Sequence, residues 1–156
     1  MNTSTIGHRT VLALLTGVAG VGVAAAAIVG AGSAHAGTMP MGTPSIAMTI
    51  TNHSGTDEFM LNDLTSSSGS WMNAPQPFLA PGASETVVAI GTTPGQLSAA
   101  VQYRMGDSGP DVRYVVNDFA GVNAFQWVWG PQASQYPISH TIDSGNPYIN
   151  TTFDQW

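Results

Sequence analysis

From Ser45 to Phe153 the apolar residues recur at alternate positions, and no window of ten or more residues there carries a convincing 3.6-residue period. That pattern argues against helical architectures and leaves a sheet protein in which each strand buries one face. The candidate strands are Ser45 to Asn52, Glu58 to Leu64, Ser70 to Met72, Glu85 to Ile90, Leu97 to Met105, Asp111 to Asn117, Asn123 to Trp129, Ile138 to Ile142 and Ile149 to Phe153. Gly, Pro, Asn and Ser punctuate them at hairpin spacing. Pro75, Pro77 and Pro81 confine their segment to loop or sheet edge. The expectation is a single all-β domain over 45–156, an antiparallel β-sandwich or small barrel of about eight short strands.

Within this domain Leu97, Ala99, Val101, Tyr103 and Met105 share one face of the clearest strand, and Ile46, Met48 and Ile50 share one face of the first. Both sets are expected in the core. Phe125, Trp127 and Trp129 share a face in the same way and are also assigned to the core. The five residues Gly106 to Pro110 should form the turn of a hairpin.

Ahead of the sheet pattern, Arg9 precedes an uncharged Ala/Gly/Val/Leu-rich run from Val11 to Ala31, and Ala34-His35-Ala36 follows it. These are the three parts of a secretory signal peptide. At 21 residues the run is also long enough to be an uncleaved anchor. Its weakly apolar composition and small-residue site favour cleavage, with a mature start at Gly37 and a secreted or cell-envelope location. Residues 37–44, with two prolines and two glycines, read as a flexible lead-in.

Removing 36 residues from 156 leaves 120, a one-domain length. The chain has no cysteine, so an exported domain of this size must hold its core by packing and hydrogen bonding alone. All five Phe, four Tyr and four Trp lie after residue 36 and can supply that core. There is no lysine. After the leader, Arg104 and Arg113 stand against nine carboxylates, a formal charge of −7. This balance argues against nucleic acid and against purely electrostatic adhesion to anionic lipid. Binding to a membrane or a glycan would have to use aromatic and hydrogen-bonding contacts.

Three groups of residues invite a chemical reading. Gly106-Asp107-Ser108-Gly109-Pro110 is similar to a serine-protease nucleophile loop, with His53 and Asp57 or Asp63 upstream. It lacks one glycine, His53 lacks the usual surroundings, and the chain is too short for two barrels, so a turn is the preferred reading. A small hydrolase using Ser108 would require His53 or His140 at its hydroxyl. The carboxylates Asp57, Glu58, Asp63, Asp107 and Asp111 are oxygen ligands of the kind calcium takes, but no calcium-loop spacing is present and solvated surface is expected. No metal or cofactor is assigned. Among the aromatics, Trp71, Tyr136, Tyr148 and Trp156 lie near turns or at the terminus, where an amphipathic ring suits an interface.

With these residues placed, the chain resembles the aegerolysin-like proteins and related bacterial secreted β-sandwich proteins. The parallels are Ile50-Thr51-Asn52-His53-Ser54-Gly55, Gly69-Ser70-Trp71, Ala80-Pro81-Gly82-Ala83-Ser84 and Asn146-Pro147-Tyr148, over about 100 residues. A Gly-x-Glu-Gly-like segment of that family would fall at Gly95-Gln96-Leu97-Ser98, which lacks its glutamate and second glycine. The resemblance implies a β-sandwich that recognises membrane lipid, in some cases with a separate protein partner. The expected function is a secreted, non-enzymatic module binding a membrane lipid or surface ligand through Trp71, Tyr148 and Trp156. The alternative is a structural or protein-interaction component of the cell envelope.

Overall fold

A computed structural model describes residues 42–119, 121–144 and 147–156. The signal-peptide segment and most of the lead-in lie outside the described residues. Ten strands follow one another among the described residues: β1 Ser45–Asn52, β2 Glu58–Thr65, β3 Gly69–Asn73, β4 Phe78–Leu79, β5 Ser84–Gly91, β6 Ser98–Met105, β7 Asp111–Asn117, β8 Asn123–Trp129, β9 Ile138–Ser144 and β10 Tyr148–Gln155. They form two five-stranded sheets packed as a sandwich, the first in the order β3-β5-β1-β10-β9 and the second β4-β2-β6-β7-β8. The expected sandwich is present. Its one departure from antiparallel pairing is β1 against β10, which run parallel in register from Ser45↔Tyr148 to Asn52↔Gln155.

The core forms where the alternating faces meet. Ile46, Met48, Ile50, Val87, Ile149 and Phe153 come from the first sheet, and Val101, Tyr103, Met105, Val112, Tyr114 and Val116 face them from the second. Tyr114 lies between two other rings, 6.4 Å from Tyr103 and 5.3 Å from Phe153 between centroids. Burial of these rings, each removing on the order of 150 to 250 Å² from water, does the work that disulfides do in many small exported domains.

One assignment is reversed. Phe125, Trp127 and Trp129 do not face the core: Ala124 and Val128 pack inward, while Trp127 is 51% and Trp129 42% exposed. Alternation states which residues share a face and not which face is inside. Here Val112, Tyr114 and Val116 of the neighbouring strand β7 are buried inward, and their register partners Val128, Gln126 and Ala124 share that inward face of β8. Small or slender side chains fit that space and three large rings would overfill it.

The hairpin β6–β7 turns at Gly106–Pro110 as expected, closed by Gly109 N–H to Met105 O at 2.9 Å and Met105 N–H to Pro110 O at 3.0 Å. Gly109 is required by the close approach, because a Cβ there would fall 2.1 Å from the Met105 carbonyl oxygen. Gly130, at φ 106, lets the chain leave β8 directly over this turn, with the position of an added Cβ only 3.4 Å from Pro110 Cα. These two glycines bring the end of β8 beside the β6–β7 turn.

Candidate functional site

The outward face of the second sheet is built by simple alternation. On β2, β6 and β7 the residues Glu58, Tyr103 and Tyr114 point into the core, so their neighbours Phe59, Arg104 and Arg113 point out. Register then aligns Phe78, Phe59, Arg104, Asp111 and Trp129 as successive partners across all five strands. The next row places Asn62, Gln102, Arg113 and Trp127 side by side, and the third Leu64, Ala100, Val115 and Phe125. With strands about 4.8 Å apart, the five-strand row is about 19 Å wide.

This face has a defined chemistry. Rings border it on both sides: Phe59 and Phe78 at 5.5 Å between centroids, and Phe125 against Trp127 at 4.8 Å and 72°. Between them runs a polar track in which Arg104 Nε donates to Asp111 Oδ1 at 2.9 Å and Gln102 Nε2 to Asp111 Oδ2 at 3.4 Å. Both arginines of the described residues stand on this one face. Phe59 is 37%, Phe78 44% and Leu64 48% exposed, so large apolar area meets solvent here with no covering element among the described residues.

At the end of the face nearest the β6–β7 turn lies a cleft of about 370 Å³, its lining including Arg104, Asp107, Ser108, Asp111 and Trp129.

The three residues singled out from sequence do not converge. Trp71 on β3 is half-buried and packs on the core, opposite Ala89. Tyr148 opens β10, half-buried, and its hydroxyl accepts the Gly42 N–H. Trp156 is 56% exposed and stacks on His53, 4.1 Å between centroids and 13° from parallel. Trp156 is eight residues beyond Tyr148 along an extended strand, about 26 Å away. Trp71 is three strands from Tyr148, about 14 Å laterally. Of the group expected at the surface, only Trp156 is exposed, and Tyr136 is half-buried with its hydroxyl 3.3 Å from Thr56 Oγ1.

Both histidines of the described residues have partners other than Ser108. His53 Nε2 lies 3.0 Å from Asp154 Oδ1, and His140 Nδ1 lies 2.8 Å from Gln126 Oε1. Among the described residues no three His, Asp or Glu side chains gather as a metal would require. Glu58, grouped from sequence with Asp57 and Asp63 as solvated surface, is instead fully buried.

Beneath the aromatic face lies a polar cluster that sequence reasoning missed. Tyr103 Oη donates to Glu85 Oε1, the Gln76 N–H donates to Glu85 Oε2 at 2.8 Å, and Tyr114 Oη lies 3.5 Å from both carboxyl oxygens of Glu58. Burial, reinforced by the nearby Glu85 carboxylate, pushes the Glu58 carboxyl up to about 8 against the pull of the Tyr114 hydroxyl. Burial likewise raises Glu85, opposed by its bonds from Tyr103 and Gln76. Both tyrosines are raised by burial and by these carboxylates, and remain neutral donors. The available signal was alternation: Glu58 shares a face with Met60, and Glu85 with Val87 and Ala89.

This architecture is shared with a known lipid-binding protein. The crystal structure of the lipid binding protein Nakanori superposes with a TM-score of 0.58 over 72% of this chain and 70% of that one, at 7% sequence identity. At that identity the likeness is one of fold. No protein-family model matches the chain, and no curated protein matches it in sequence.

Proposed function

We propose that this protein is a secreted, non-enzymatic β-sandwich that attaches to membrane lipid through the outward face of its second sheet. One observation carries the reading: Phe78, Phe59, Trp129 and Trp127 stand exposed around a track holding both arginines of the described residues, on a sheet face that no described element covers. Tryptophan and phenylalanine on such a surface release apolar area from water when they enter a headgroup layer, while the indole N–H and the arginines keep polar partners there. The shared fold of the lipid binding protein Nakanori supports the same class of ligand, as does the resemblance to aegerolysin-like proteins. The aromatic contacts move from the loop residues expected from sequence to the sheet, with exposed Trp156 as an auxiliary contact and half-buried Trp71 and Tyr148 as the weaker candidates.

The test is co-sedimentation with vesicles of neutral, anionic and sphingolipid composition while following tryptophan fluorescence. Saturable binding with a blue shift, lost in Trp127→Ala and Trp129→Ala, is the expected result. Full binding by both variants would sink the assignment of this face.

A second reading, a cell-envelope interaction protein, draws on β9, an edge strand of the first sheet with Ile142 41% exposed. An open edge pairs readily with another chain. This reading predicts self-association or capture of a protein partner without vesicle binding.

A further inference from the structure

The cleft at the end of the aromatic face differs in chemistry from the rest of that face. Its charged lining is one guanidinium and two carboxylates, Arg104 against Asp107 and Asp111, a net −1. Arg104 is already engaged by Asp111 at 2.9 Å. A phosphate or carboxylate entering here would compete with Asp111 for that arginine and face Asp107 besides, so an anionic ligand is disfavoured. Arg113, the cation without an ion pair among the described residues, lies one row away beside Trp127 and outside the cleft. A compact cation fits no better. It would meet one indole instead of an aromatic cage, and it would have to sit beside the guanidinium.

What the lining does offer is one flat apolar surface, the exposed indole of Trp129, ringed by groups that both donate and accept. Arg104 donates, Asp107 and Asp111 accept, and the Ser108 hydroxyl does either. A neutral ring with an apolar C–H face and a rim of hydroxyls uses all of these together. A hydroxyl donates to a carboxylate and accepts from the guanidinium, and bonds to charged partners are the stronger ones. The polar partners are pre-oriented, because Asp111 is held by Arg104 on one oxygen and Gln102 on the other, so little ordering is needed on binding. At about 370 Å³ the cleft lies at the lower end of ordinary ligand sites, the size for a small headgroup or sugar ring.

We propose that this cleft binds a single neutral pyranose ring, stacked on Trp129 and hydrogen-bonded by Arg104, Asp107 and Asp111. The inference rests on the reading of this sheet face as the binding surface and names the chemistry recognised at its end. The same ring can be presented by a hexosyl lipid in a membrane or by a soluble glycan, and the experiment separates the two sources.

Vesicles of phosphatidylcholine with and without a monohexosyl lipid, and soluble methyl hexosides followed by ligand-observed NMR, are titrated with the protein and with Trp129→Ala, Asp107→Asn, Trp127→Ala and Thr49→Val. Circular dichroism confirms that each variant is folded. The expected result is saturable contact with the soluble hexoside, lost in Trp129→Ala, reduced about tenfold in Asp107→Asn and retained in Thr49→Val on the other sheet. Hexosyl lipid should tighten vesicle binding if a membrane presents the sugar, and a soluble glycan should compete if it does not. Absence of hexoside binding in both formats, or binding unchanged in Trp129→Ala, overturns the proposal. Loss of plain vesicle binding in Trp127→Ala, alongside a failed sugar arm, leaves the lipid reading standing and removes only this one.

Discussion

The two outward faces of the sandwich arise from the same alternation and have opposite character. The outward side of the first sheet pairs hydroxyls, half-buried Thr49 with buried Thr86 at 2.9 Å and Thr51 with Ser84 at 3.1 Å, with Thr152 and Asp154 alongside on β10, and its apolar residues Ala47 and Val88 are buried. The second shows five aromatic rings and both arginines. Small polar side chains that satisfy one another across strands need no partner and blunt a surface against association. Exposed rings gain free energy only when something covers them. This contrast is why the proposed binding surface is assigned to the second sheet.

The largest expected effect comes from the layer that both faces share. Tyr114→Ala removes a ring packed between Tyr103 and Phe153 and strands the Glu58 carboxyl, costing about 3 to 5 kcal/mol. Chemical denaturation would show it. An unchanged midpoint would mean that the inner layer is not the common support described above.

Next comes the pH dependence of that layer. Glu58 has its folded-state carboxyl raised to about 8 from 4.5, so its protonated form is the one the fold favours. The stability it allows is therefore fully present below about pH 4.5 and is lost progressively as pH rises through 8, a change on the order of 4 kcal/mol. Glu85, raised in the same direction, adds to the slope. Glu58→Gln, which keeps the shape without the charge, should be more stable than the parent at pH 8 and show a flatter profile in thermal melts. A parent profile that rises with pH across this window would contradict the assignment.

The faces themselves give the smaller effects. Trp127→Ala should weaken vesicle binding by about tenfold or more while moving stability by no more than about 0.5 kcal/mol. Thr49→Val on the opposite face should do the reverse, costing about 1 kcal/mol for one hydroxyl bond and leaving binding untouched. Titration and denaturation of the same two variants check both.

Strand positions and the sandwich were legible because they depend on alternation and turn residues, which are local. Ser45–Asn52, Asp111–Asn117 and Asn123–Trp129 are read to the residue. The parallel pairing of β1 with β10 was not legible, since it joins the two ends of the domain and no local signal marks it. The orientation of β8 was within reach. A five-residue turn after Asn117 sets Arg113 opposite Trp127 and Asp111 opposite Trp129, and an arginine row marks an outward face. Glu58 and Glu85 were missed for another reason: a carboxylate in an apolar alternation slot is buried only if tyrosine hydroxyls meet it, and those come from β6 and β7, far along the chain.

The most direct test of the central claim is vesicle co-sedimentation of Trp127→Ala with Trp129→Ala, beside Trp71→Ala, Tyr148→Ala, Trp156→Ala and Thr49→Val. The account predicts that binding collapses in the Trp127/Trp129 double variant, weakens modestly in Trp156→Ala and persists in Thr49→Val. Undiminished binding by the double variant, with loss confined to Trp71→Ala, Tyr148→Ala or Trp156→Ala, would contradict it.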